Sequence, residues 1–110
     1  MSYYHKNWLY DEYLQLFLDT TGAKLTVDEK NSLKNYFNTY AEGGAKSIYY
    51  MAIFRLKRGW YKFLVYLLIS RALKKDFQKD ESMNTLVPLH KIFAEKMLND
   101  AIKAYCKITD

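Results

Sequence analysis

Chain breakers are scarce in this sequence: in 110 residues glycine occurs only at Gly22, Gly43, Gly44 and Gly59, and proline only at Pro88. The segments between these marks are long, and long unpunctuated segments favour helices. The rest of the composition, 50% hydrophobic and 26% charged, is that of a folding domain and excludes a disordered tail, a collagen-like repeat and a disulfide scaffold. A chain of this length buries roughly two thirds of its unfolded surface, enough for a core without staples or metal. Cys106 is the single cysteine, so no internal disulfide is available. No apolar stretch follows a basic start, because residues 1–19 already contain His5, Lys6, Asp11 and Glu12; a cytoplasmic protein is expected. The longest uncharged apolar run, residues 63–70, is closed by Lys62 and Arg71. It falls far short of the ~18–20 residues a membrane span requires, and no span is expected.

Periodicity then divides the chain. Over residues 8–20 Leu9, Tyr13, Leu16 and Phe17 recur at helical spacing, with Asn7 placed to cap the start and Gly22 just past the end. Thr26 followed three residues later by Glu29 has the form of a capping box, and a second helix is predicted from there to about Ala41 with Leu33, Tyr36, Phe37 and Tyr40 inward. After the turn at 42–45, Ser47 is a candidate cap. Residues 48–79 read as one or two helices, with Gly59 marking a kink or a boundary, and the nearly all-round apolar stretch 63–69 predicts a central buried helix. The rival reading is a β-hairpin over 48–69 turning at Arg58 and Gly59, which would make the fold α+β; the helix-forming leucines and Ala72 favour helix. Residues 80–87 read as a polar loop, and Pro88 suits the first turn of a last helix with Phe93, Ala94, Met97, Ala101, Ala104 and Ile108 inward. With no internal repeat or linker, the expected architecture is a single all-α domain over residues 1–110, a bundle of four or five helices.

Charge is unevenly distributed along this bundle. Residues 43–79 carry nine basic side chains against Asp76 alone, a net +8 in a chain whose total is +5. On one continuous helix Arg55, Arg58 and Lys62 fall on one face, spaced to meet successive phosphates, with Tyr49, Tyr50, Trp60 and Tyr61 beside them. Rings beside cations are what a single strand binds, bases on the rings and phosphates on the cations. The candidate nucleic-acid-binding residues are therefore Arg55, Lys57, Arg58, Lys62, Arg71, Lys74, Lys75, Trp60 and Tyr61. The second basic group, Arg71 to Lys79, would point to a different side of a straight helix.

Catalytic chemistry has little to stand on. His5 sits near the terminus, and His90 falls on the apolar face of the last helix, where a hydrogen-bonded structural histidine is expected. Cys106 has no histidine base indicated by the sequence around it, and a structural thiol is expected. No metal-ligand spacing, phosphate-binding glycine loop or helix-turn-helix is present, so no metal, cofactor or duplex-reading helix is expected. The sequence thus points to a non-enzymatic helical module that contacts single-stranded or structured RNA or DNA within a larger assembly. Two alternatives stand beside it: an inhibitor or immunity protein of the kind phages and mobile elements encode, directed at a protein target, and a homo-oligomeric structural protein suggested by the alanine-lined last helix.

Overall fold

The computed structural model describes residues 10–22, 24–38 and 44–109, the side chains of 10 and 107–109 excepted. The described elements are α1 (Tyr10–Thr21), α2 (Val27–Asn38), α3 (Ala45–Lys57), α4 (Lys62–Lys79), a 3₁₀ helix (Glu81–Leu89) and α5 (His90–Thr109). The described residues contain no strand, so the all-α bundle stands and the hairpin over 48–69 does not. Asn7, Leu9, Tyr40, the continuation of the second helix to Ala41, and the side chain of Ile108 lie outside the described residues.

Local signals set most of the boundaries. Asp11 and Glu12 stand in the first turn of α1, where negative charge meets the helix dipole. The Gly22 amide, on a residue with φ 66°, closes that helix by donating to the Leu18 carbonyl at 2.8 Å. The capping box forms at α2: the Thr26 amide donates to Glu29 Oε1 at 2.8 Å, and the Glu29 amide donates to Thr26 Oγ1 at 3.1 Å. Ser47 does not cap α3. Gly44 is the N-cap, extended and without a side-chain bond, and the Ser47 amide donates to its carbonyl from within the first turn.

The segment expected to be a polar loop is a nine-residue 3₁₀ helix. Asp80 nucleates it, its Oδ1 accepting from the Ser82 amide at 3.0 Å and from the Ser82 hydroxyl at 2.6 Å. Met83 and Leu86, three residues apart, fall on one side of a helix with three residues per turn, and both are buried. Pro88 accordingly lies near the end of this segment and not in the first turn of α5, which begins at His90.

α5 packs against both α4 and α3, and α4 also packs against the 3₁₀ helix. The core is centred on rings. Phe93 of α5 stands 5.5 Å from Phe37 of α2, 5.7 Å from Tyr13 of α1 and 5.9 Å from Phe77 of α4, the first and last edge-to-face. Each such pair contributes about 0.5–1.5 kcal/mol beyond the area it buries. Phe93, Ala94, Met97, Ala101 and Ala104 are all buried on α5, so the alanine stripe serves the interior of the bundle and is not a free face for a second copy. Polar links tie α2 down: Tyr36 donates to Asp76 Oδ2 of α4 at 2.8 Å, and Thr85 of the 3₁₀ helix donates to Glu29 Oε2 at 2.8 Å.

Candidate nucleic-acid interface

Gly59 builds the corner on which the candidate residues meet. α3 ends in a Schellman motif, the Gly59 amide donating to Leu56 and the Trp60 amide to Arg55, both at 3.1 Å. Gly59 has φ 91°, the left-handed region that only glycine enters without strain. The boundary therefore separates two helices, and Arg55, Arg58 and Lys62 do not share one helical face as continuous helix would require. Arg55 lies in the last turn of α3, Arg58 caps it, and Lys62 opens α4.

The corner nevertheless joins cations to rings. The Arg55 guanidinium lies over Trp60, 4.4 Å from its centroid, and the Arg58 guanidinium stands 5.2 Å from the Phe54 centroid. Such pairs contribute about 0.5–1 kcal/mol when exposed. Arg55 is half-buried, and among the described residues its Nε, closed off from solvent, has no hydrogen-bond partner and its guanidinium no ion pair, so the ring is what holds this side chain there. The rings are open to solvent: Tyr61 is 71% exposed, Phe63 63%, Phe54 55% and Trp60 37%. Tyr61 and Phe63 lie nearly parallel, 19° apart in plane, with centroids separated by 6.2 Å.

Phe54 and Phe63 are the members that sequence reasoning passed over. Tyr49 and Tyr50, expected beside the basic face, go inward instead, Tyr49 into the core and Tyr50 half-buried against it. The stretch 63–69 is likewise not the centre of the bundle. α4 buries Val65, Ile69, Leu73 and Phe77, while Phe63, Leu64 and Leu67 face solvent. The signal was in the flanks: α4 is basic at both ends, and Arg71, Lys74 and Lys75 continue at helical spacing the stripe that Leu64 and Leu67 begin.

Electrostatically the surface is of one sign. Lys57, Arg58, Lys62, Arg71, Lys74 and Lys75 are all exposed, and among the described residues no carboxylate forms an ion pair with any of the seven candidate cations. The one acid of α4, Asp76, is half-buried and engaged by Tyr36, whose hydroxyl is held protonated by burial and by that carboxylate. Ion pairs among the described residues form elsewhere: Lys96 of α5 meets Glu12 of α1 at 2.7 Å and Asp100 at 3.4 Å.

The other chemistry-bearing residues are outside this surface or differently engaged. His90 Nδ1 lies 2.7 Å from the buried Ser70 Oγ, and burial, with Lys74 and Lys91 nearby, lowers its pKa from the ordinary value. Cys106 is exposed, and His5 lies outside the described residues. Among the described residues no three His, Cys, Asp or Glu side chains are grouped to hold a metal ion, and no helix is long and apolar enough to cross a membrane.

Fold and surface together define a helical bundle with a basic, aromatic corner. No family model, curated protein or solved structure matches the chain.

Proposed function

We infer that this chain is a non-enzymatic binding module whose α3–α4 corner contacts single-stranded or structured RNA or DNA, as one component of a larger assembly. The observation that carries the reading is the coincidence, on one exposed surface, of open rings with cations that no carboxylate among the described residues neutralises. A folded chain gains nothing from leaving Tyr61, Phe63 and Phe54 in water, and a polyanion with planar bases uses both halves of the surface. Trp60, Tyr61, Arg55, Lys57, Arg58 and Lys62 form the corner, with Arg71, Lys74 and Lys75 farther along α4.

Fluorescence anisotropy tests this with nuclease-treated protein against single-stranded RNA, single-stranded DNA and duplex DNA, each at low and physiological salt. The wild type is expected to bind a single strand at micromolar concentration or tighter, weakening steeply with salt. K57E/R58E/K62E, whose side chains are exposed, is expected to lose about tenfold or more in affinity with its helical circular dichroism intact. Unchanged affinity in that variant would overturn the reading. Absence of binding by the wild type even at low salt would overturn it too, and would reassign the surface to a protein target, the work of an inhibitor or immunity protein.

A further inference from the structure

The corner and the second basic group are joined by a single strip of surface. From Phe63 and Leu64 at one end, through Leu67 and Arg71, to Lys74 and Lys75 at the other, the exposed positions of α4 recur in steps of three or four residues, which is one face of a helix. The helix is 18 residues long. At 1.5 Å per residue the stretch from Tyr61 to Lys75 rises roughly 21 Å, the length of about six stacked nucleotides at 3.4 Å each. The strip is graded: rings at its start, aliphatic side chains after them, cations at its far end. Asp76, the one acid of α4, is turned to Tyr36.

Resting on the nucleic-acid reading above, we propose that the exposed face of α4 is a track for an unpaired strand. Its bases stack on Tyr61 and Phe63 at the corner, and its backbone runs over Leu64 and Leu67 to the cations at the other end. Tyr61 is positioned for this by the helix start: it is the N-cap of α4, extended at φ −66° and ψ 142°, and its ring lies alongside that of Phe63. The ligand class that follows is a single strand with accessible bases, RNA or DNA, of up to about six nucleotides in contact. A base-paired helix keeps its base faces stacked on one another and offers only phosphates to this strip.

The decisive comparison is between two ligands of equal charge: a fluorescent dodecathymidylate and an abasic strand of the same length, titrated with the full-length protein. The abasic strand is expected to bind roughly 5- to 100-fold more weakly, and Y61A/F63A is expected to remove most of that difference by weakening the base-bearing strand alone. R71E/K74E/K75E is expected to bind both strands more weakly and to lower the slope of log affinity against log salt by about 2, the share of three phosphate contacts on a single strand. Three-, six- and twelve-nucleotide strands are expected to gain affinity up to about six and little beyond. Oligouridylate of equal length distinguishes RNA from DNA. Equal affinity for abasic and base-bearing strands would overturn the track while leaving the module a backbone binder. Salt-dependent binding unaffected by R71E/K74E/K75E would confine contact to the corner and overturn the track as well. No binding by either strand would remove the nucleic-acid reading itself.

Discussion

Gly59 supports two things at once: the end of α3 and the contact of Arg55 with Trp60. Its amide and that of Trp60 satisfy two carbonyls of the last turn, and the reversal of the chain sets the Trp60 ring against the guanidinium one turn back. A Cβ at this position would meet no atom within 4 Å, so replacement costs only backbone strain. Gly59→Ala is expected to lower stability by about 1 kcal/mol, or roughly 4 °C in Tm for a domain of this size, in a thermal melt followed by circular dichroism. It should also weaken binding of a single strand, since a corner that reopens loses the register of Trp60, Tyr61 and Phe63. Gly59 was legible in the sequence as a mark within an apolar stretch. What it did there depends on the sign of φ, which a sequence does not display. The same holds for Phe54 and Phe63, which by composition were indistinguishable from core phenylalanines such as Phe77 and Phe93.

Between elements, the Ser70–His90 hydrogen bond fastens the middle of α4 to the start of α5. Burial first, then Lys74 and Lys91, lowers the pKa of His90 below its ordinary 6.5. The unfolded chain therefore takes up this proton before the folded one does. The contribution of His90 is complete above the ordinary value, declines as pH falls through it, and levels off below the folded pKa. Melts between pH 7.5 and 5 are expected to show falling Tm, with a slope well under the ~1.4 kcal/mol per pH unit of a whole proton because the ring is partly exposed and screened. His90→Asn should flatten that slope; an unchanged one would assign it to another group. The hydrogen bonding of His90 was legible, and so were the capping box, the buried face of α5 and the helical class. Less legible were elements whose period or partner is unusual. Met83 and Leu86 follow a three-residue period, which a search for helical or strand spacing passes over as loop. In α4 the apolar residues surround the axis, so periodicity predicts burial all round; the neighbouring helices cover only the side of Val65, Ile69, Leu73 and Phe77.

At the scale of the molecule, two groups among the described aromatic residues stand at opposite ends of exposure. Tyr13, Phe37, Phe77 and Phe93 draw α1, α2, α4 and α5 onto one centre, whereas Phe54, Trp60, Tyr61 and Phe63 lie at the opposite extreme of exposure, beside the positive charge. The two sets should separate cleanly in urea denaturation. Phe93→Ala leaves a cavity among three rings and is expected to cost about 3–5 kcal/mol, a large fraction of the ~5–15 kcal/mol that holds a domain together. Phe63→Ser and Leu67→Ser remove exposed apolar surface, 63% and 47% open to water, and are expected to leave stability within about 0.5 kcal/mol of wild type. Phe63→Ser should then lose single-strand affinity at undiminished stability, the behaviour of a side chain retained for a partner. A loss of stability comparable to that of Phe93→Ala would instead make Phe63 a support of the α3–α4 corner, and the exposed rings would have to be explained by the fold and not by what binds it.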